Sequence, residues 1–510
     1  MFHARRRMGA PANQAAMLDP DHGATRCFRC RAPAVATAGG AWCGALIQRK
    51  APFARPPQHG GMTHSATAPQ ALLALAEAKV PRYTSYPTAA QFGPLDEASY
   101  RDWLVSGIAP EDPLSVYLHV PFCRDLCWYC ACHTRPTRSA ARIAAYAAAL
   151  QAEMALLSAA LPAHGGIAHL HFGGGTPSIL GAAGLRSLLG RLHDRFGLRP
   201  GAEVAIELDP RLMDGALVEA LGEMGVTRAS LGVQDVSPEI QARIGRPQPA
   251  ELVALGVERL RQAGIGGVNL DLIYGLPGQS VAHVEASARF AAGLGVDRIA
   301  VFGYAHVAWM KPQQKAIDAA SLPGAVARME QAEAAEAVLR AAGYVALGLD
   351  HFARPGDAMA MAAREGRLRR NFQGYTTDSA PVLLGLGASS IGALPAGFAQ
   401  NEADERRYIA AVSAGRLPVN RGIAVTPEDR LRAGLIERLM CDFALDLGAI
   451  PPAILLPALA RLASLQADGL LHLEAGRLVV TPLGRRFVRQ VARCFDAYFA
   501  PGAQRHSAAV

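Results

Sequence analysis

Residues 115–132 read Ser-Val-Tyr-Leu-His-Val-Pro-Phe-Cys-Arg-Asp-Leu-Cys-Trp-Tyr-Cys-Ala-Cys. Val116, Leu118 and Val120 alternate with more polar residues, the period of a short strand with one buried face. Directly after it, Cys123, Cys127 and Cys130 form CxxxCxxC, and Cys132 follows two positions on. Four of the nine cysteines therefore crowd into ten residues. Without an export signal, such a cluster reads as metal binding or redox chemistry rather than a disulfide framework. Soft thiolates on a short loop suit zinc or iron–sulfur ligation. A structural zinc needs a fourth ligand, which Cys132 or His133 could supply. Three thiolates on a four-iron cube would instead leave one iron open to a chelating cofactor.

Outward from this loop, the chain alternates strands and helices. Strands are expected at 115–120, 167–172, 203–208, 228–233, 267–273 and 298–302, with helices near 141–161, 180–195, 212–224, 250–264 and 281–294. Six strand–helix repeats in order imply an α/β fold with a parallel sheet, open or barrel-like. Polar residues follow each strand: His119 and the cysteine loop, Gly173-Gly174-Gly175-Thr176-Pro177, Glu207-Leu208-Asp209, Gln234-Asp235, Asp271, and Tyr304-Ala305-His306. In a parallel α/β barrel these carboxyl ends meet at one mouth, the usual site of chemistry. The glycine run lets backbone approach a ligand closely.

At 510 residues the chain is long enough for two or more domains. Residues 1–61 hold nine basic and two acidic residues, a net +7 of the chain's +8, and lack a helical or strand period. They read as a disordered leader, or as an upstream extension of the coding start at Met62. Cys27 and Cys30 form a CxxC within it, with Cys43 nearby, and are expected to be incidental thiols. About +1 remains for residues 62–510, so the folded part has no basic field for a polyanion, and no nucleic-acid partner is expected. No uninterrupted apolar run reaches membrane-spanning length, and no signal peptide is evident, so a cytoplasmic protein is expected. Residues 425–510 are expected to form a separate small module, helical at 428–444 and 455–468 with a hairpin at 470–480, similar to a winged helix.

The CxxxCxxC spacing after a first strand resembles the radical S-adenosylmethionine (SAM) superfamily. Arg82-Tyr83-Thr84-Ser85-Tyr86-Pro87-Thr88, Cys132, Gly232-Val233-Gln234-Asp235 and Asp271-Leu272-Ile273-Tyr274-Gly275-Leu276-Pro277 narrow the likeness. Tyr304-Ala305-His306, Asp350-His351-Phe352-Ala353-Arg354-Pro355 and Arg370-Asn371-Phe372-Gln373-Gly374-Tyr375-Thr376-Thr377 narrow it further. Together they resemble the oxygen-independent coproporphyrinogen III oxidase family from about residue 80 to 500. The resemblance implies a partial (β/α)6 radical SAM barrel at 111–350, preceded by an N-terminal segment at 62–110. A barrel extension at 351–424 and the smaller, mainly helical family domain at 425–510 would follow.

It also implies a 4Fe–4S cluster on Cys123, Cys127 and Cys130, and two SAM molecules. Tyr117, Gly174, Glu207 and Ile391 match positions for the cluster-bound molecule. Tyr129, Gly175, Thr176, Gln234, Arg246, Asp271 and Ala305 match positions for the second. Arg246 taken alone reads as a solvated surface charge, though a guanidinium facing a carboxylate makes a strong bidentate pair. The implied reaction is oxidative decarboxylation of two propionates of coproporphyrinogen III to give protoporphyrinogen IX. An unidentified electron donor and acceptor would serve it, and a monomer is expected. A haem chaperone of the same superfamily is the alternative; Cys132 and the 370–377 stretch favour the oxidase.

Overall fold

The computed structural model describes residues 70–500; the leader, with Cys27, Cys30 and Cys43, lies outside them. Six parallel strands follow one another in a single sheet. They are β1 (Leu114–Val120), β2 (Ile167–Gly174), β3 (Leu198–Leu208), β4 (Arg228–Gln234), β5 (Gly267–Tyr274) and β6 (Arg298–Gly303). Each is followed by a helix: α1 (Ala140–Ala160), α2 (Gly181–Phe196), α3 (Gly215–Glu223), α4 (Ala250–Gln262), α5 (Val281–Gly293) and α6 (Ala325–Ala341). In-register apolar pairs such as Val116↔Leu170, Leu170↔Val204 and Leu270↔Ile299 build the inner layer. The expected β/α repeat is therefore observed.

The helices cover this sheet with apolar stripes at helical spacing. In α2, Leu185, Leu188, Leu192 and Phe196 face the core, and the helix stops at Gly197, whose φ of 67° suits glycine. Truncating a fully buried leucine such as Leu188 to alanine would cost about 2–5 kcal/mol. By length and composition α1 is apolar enough to cross a membrane. Here it is the β1–β2 crossover, and Tyr146, Leu150, Met154 and Leu157 place one face in the main core.

The sheet does not end at β6. Strands β7 (Val345–Leu347) and β8 (His351–Ala353) extend it antiparallel beyond β6. On the other side β9 (Val382–Leu386) lies parallel to β1, in register Leu384↔Val116. A meander of β10 (Ile391–Leu394), β11 (Gly397–Asn401) and β12 (Val419–Ala424) follows, and Gly93–Pro94 caps that edge. The 351–424 segment thus supplies strands to both flanks of the six repeats.

The carboxyl-terminal module contains α7 (Pro427–Asp442), α8 (Pro452–Ala467) and a three-stranded sheet of Ala444–Asp446, Arg477–Val480 and Leu471–Glu474. Leu439, Leu462, Leu471 and Leu478 form its core, joined there by Leu72, Tyr83 and Tyr86 from the amino-terminal segment. That segment is a strap: Arg370 and Arg489 donate to its carbonyls at Tyr83 (3.2 Å) and Val80 (3.4 Å), while Arg82 reaches Gly303 O at the end of β6 (3.4 Å).

Candidate active site

The carboxyl ends of β1 to β6 gather the polar residues that the sequence singled out. At β1, His119 Nε2 lies 2.9 Å from the carbonyl of His133, which can only accept, so the ring proton sits on Nε2. Nδ1 then accepts from the Tyr117 hydroxyl at 3.0 Å. Burial pulls His119 down to about 4, so the imidazole stays neutral at physiological pH.

At β2 the glycine run is demanded by contact. A side chain at Gly173 would meet Glu207 Oε1 and Tyr117 at 2.8 Å, and one at Gly175 would strike Phe122 O and Thr134 Oγ1 at 2.4 Å. Gly174 has a φ of 114°, and its N–H donates to Glu207 Oε2 at 3.1 Å. Glu207, at the end of β3, also meets His171 Nε2 at 3.1 Å. Tyr117, Gly174 and Glu207 are thereby brought together. Ile391 begins β10 beyond β9, where the preceding turn packs on β1: a side chain at Gly387 would lie 2.4 Å from His119 O.

The cysteine loop lies against this floor. The Gly175 and Thr176 amides donate to Val120 O and Phe122 O at 2.8 and 2.7 Å. Cys123 Sγ has Thr134 Oγ1 at 3.2 Å and Thr176 Oγ1 at 3.4 Å. Burial raises the Cys123 thiol, while the hydroxyl contacts oppose that shift. The neighbouring Cys132 side chain pulls the Cys130 thiol down, and Cys130 in turn pushes the Cys132 thiol up. Cys132 is exposed, whereas Cys127 is buried.

Arg246 is no surface charge. It is buried, donating to Cys127 Sγ (3.3 Å), Gly232 O (2.7 Å) and the two Asp209 carboxylate oxygens (3.4 and 3.3 Å). Its Nε has no partner among the described residues. Burial pushes Asp209 up, but hydrogen bonds from Arg211 and the Arg246 charge more than offset it, and its carboxyl ends below the ordinary range. Gln234 at the end of β4 has a φ of 71°, which turns it beside Gly232 and Arg246. Asp271 on β5 accepts from Asn269 at 2.9 Å; burial, opposed by that bond, lifts its carboxyl to about 6.

One clamp had no motif to announce it. After β6, Lys311, Gln313 and Gln314 donate to the carbonyls of Cys132 (2.8 Å), Cys130 (2.7 Å) and Tyr129 (2.8 Å). Gln314 is fully buried and also reaches Ala305 O (3.2 Å), while its Oε1 accepts from Val307 N (2.6 Å). It ties the loop after the first strand to the loop after the sixth, and so joins Tyr129 to Ala305.

Among the described residues, no three His, Cys, Asp or Glu side chains form a group suited to one metal ion. A single ion needs donors converging on one point, whereas a four-iron cube takes each thiolate on a different iron. Three separately seated thiols on one loop, beside a glycine-lined floor and an arginine with an orphaned nitrogen, fit a cluster carrying a chelated ligand.

A family model described as the radical SAM superfamily matches residues 117–291, and one described as the HemN C-terminal domain matches residues 425–487. Fold, site and these matches define a radical SAM protein. The chain is 48% identical over 441 residues to the oxygen-independent coproporphyrinogen III oxidase of Bradyrhizobium diazoefficiens (85% of this chain, 98% of that one), and 44% identical to that of Paracoccus denitrificans (86% and 98%). Coproporphyrinogen III oxidase (HemN) from Escherichia coli, described as a radical SAM enzyme, matches with a TM-score of 0.78 at 36% identity, over 82% of this chain and 98% of that chain. The chain belongs to the oxygen-independent coproporphyrinogen III oxidase family. It is thus an oxidoreductase of the radical SAM class, working with a 4Fe–4S cluster and SAM.

Proposed function

We propose that this protein decarboxylates two propionates of coproporphyrinogen III to the vinyl groups of protoporphyrinogen IX without oxygen. The observation that carries the reading is the meeting of the cysteine loop with polar groups that follow β2, β3 and β6 and with the buried Arg246, in a chain of this family. Cys123, Cys127 and Cys130 hold the cluster, and Cys132 does not. Tyr117, Gly174, Glu207 and Ile391 serve the cluster-bound SAM. Tyr129, Gly175, Thr176, Gln234, Arg246, Asp271 and Ala305 serve a second molecule.

When bound, cluster and SAM supply the one-electron chemistry that takes a hydrogen atom from each reacting propionate β-carbon, after which carbon dioxide leaves and one further electron passes to an acceptor. The protein's share is position. Glu207, fixed by Gly174 N–H and His171, presents acceptors to an ammonium or to ribose hydroxyls. Neutral His119 holds the Tyr117 hydroxyl without adding charge beside the cysteine loop. Arg246 offers its guanidinium to a ligand carboxylate. The amino-terminal strap reaches the β6 end of the mouth through Arg82, which donates to Gly303 O. A cytoplasmic monomer with separate electron donor and acceptor completes the reading.

Anaerobic incubation with coproporphyrinogen III, SAM and a low-potential reductant tests it. Protoporphyrinogen IX is the expected product. Binding and transfer of haem with no decarboxylation would instead make the protein a chaperone.

A further inference from the structure

Four arginines from four distant segments gather where the strap meets the ends of β5 and β6. Arg82 lies on the strap, Arg328 on α6, Arg370 beyond β8, and Arg489 in the carboxyl-terminal module. They are linked through shared backbone. Arg82 donates to Gly303 O (3.4 Å), a side chain at Gly303 would lie 3.2 Å from Arg328, and Arg370 donates to Arg82 O (3.3 Å). Arg328 lies over the Tyr274 ring at 5.7 Å, and Arg370 over the Tyr375 ring at 4.4 Å. Arg489 is buried, and burial, then the neighbouring Arg82 charge, pulls its guanidinium down.

For Arg82, Arg328 and Arg370, anionic partners are scarce. Among the described residues, Arg82, Arg328 and Arg370 form no ion pair with any carboxylate, and the buried Nε of Arg328 has no hydrogen-bond partner. The carboxylate facing the group, Asp350, is already held by His351 at 2.7 Å. Like charges gathered at a half-buried site repel, and that cost is offset when a polyanion enters. Planar guanidinium groups stacked on rings, with donors still free, are suited to carboxylates.

We infer that Arg82, Arg328 and Arg370 form the receptor for the propionate carboxylates of the tetrapyrrole, with Arg489 supporting their field from below. This rests on the reading of the substrate as coproporphyrinogen III, which carries four propionates. The product keeps two, so the same receptor holds it less tightly and favours its release.

The test is equilibrium titration of the anaerobically reconstituted holoenzyme with coproporphyrin III, the oxidised tetrapyrrole that keeps all four propionates. Its tetramethyl ester and protoporphyrin IX serve as comparisons. Arg328→Gln and Arg82→Gln should each weaken coproporphyrin binding about tenfold or more, the loss of one charge-assisted contact. Ester binding should not change between wild type and variants, and protoporphyrin should bind wild type more weakly than coproporphyrin. Iron content should stay at the wild-type level. Exposed Arg82 keeps the test decisive should Arg328→Gln fail to fold. Wild-type affinity for coproporphyrin in the variants would overturn the inference while leaving the proposed function standing. A wild-type enzyme that neither binds coproporphyrin nor yields protoporphyrinogen would overturn both.

Discussion

Arg246 Nη1 lies 3.3 Å from Cys127 Sγ, and the same guanidinium spans both carboxylate oxygens of Asp209. One buried cation thus links the cysteine loop at the end of β1 to the end of β3, with Nε left over. Arg246→Met should lower turnover by on the order of tenfold or more, since a charge-assisted contact is lost. Iron per chain should hold, because Asp209 keeps Arg211 at its side. Loss of iron together with turnover would reduce Arg246 to a support for Cys127.

The four clustered cysteines should divide three to one. Replacing Cys123, Cys127 or Cys130 by serine should cost the cluster and nearly all activity, because a neutral hydroxyl replaces a soft thiolate. Cys132→Ser should keep its iron and its spectral response to SAM. A fourth thiolate would close the cube and leave no iron for the cofactor. Iron analysis after anaerobic reconstitution decides it: a missing cluster in Cys132→Ser would redraw the ligand set.

Gln314 donates to two carbonyls and accepts from one amide, so its chemistry can be reversed at constant size. Gln314→Glu can still accept from Val307 but cannot donate to Tyr129 and Ala305 while ionised. Two half-buried acceptors would lose their donor, at up to about 1 kcal/mol each. The expected result is a lower melting temperature together with faster loss of iron to a chelator. Wild-type iron retention would show that the clamp is packing alone.

Glu153, buried on α1, accepts from Gly387 N (2.7 Å), Tyr408 Oη (2.6 Å) and Asn401 Nδ2 (2.5 Å). Burial nevertheless outweighs these bonds and lifts its carboxyl from 4.5 to about 7. The folded state then holds a proton that the unfolded chain has released. Stability from this residue is full below about pH 4.5 and falls as pH rises through 7, by roughly 3 kcal/mol. Glu153→Gln cannot ionise and should escape this pH dependence, although its amide meets three donors and costs stability at low pH. The melting temperature of wild type relative to Glu153→Gln should therefore fall between pH 5 and 8. A constant difference would contradict the assignment.

Much of this was legible in the residues. The six parallel strands were readable because apolar runs such as 228–233 and 267–273 are each followed by turn-forming or polar residues. The start of β3 was not: Arg199, Pro200 and Gly201 read as a loop, yet a register shift between Ile167 and His169 of β2 admits them to the sheet. Strands β9 to β12 escaped because five glycines among residues 382–401 and 422 dilute the two-residue period. At the site, a lone arginine 37 residues from its carboxylate gives no local sign of burial, so the setting of Arg246 needed the fold. Gln314 carried no signal at all, since its partners are backbone carbonyls whose placement only the tertiary structure defines.

The most direct test of the central claim is isotopic. The holoenzyme would be given coproporphyrinogen III deuterated at the propionate β-carbons, under anaerobic conditions with reductant, and the 5′-deoxyadenosine formed would be weighed and counted. The account predicts one deuterium in each 5′-deoxyadenosine and two such molecules for every protoporphyrinogen IX. Protoporphyrinogen formed with only unlabelled 5′-deoxyadenosine, or with none, would contradict it.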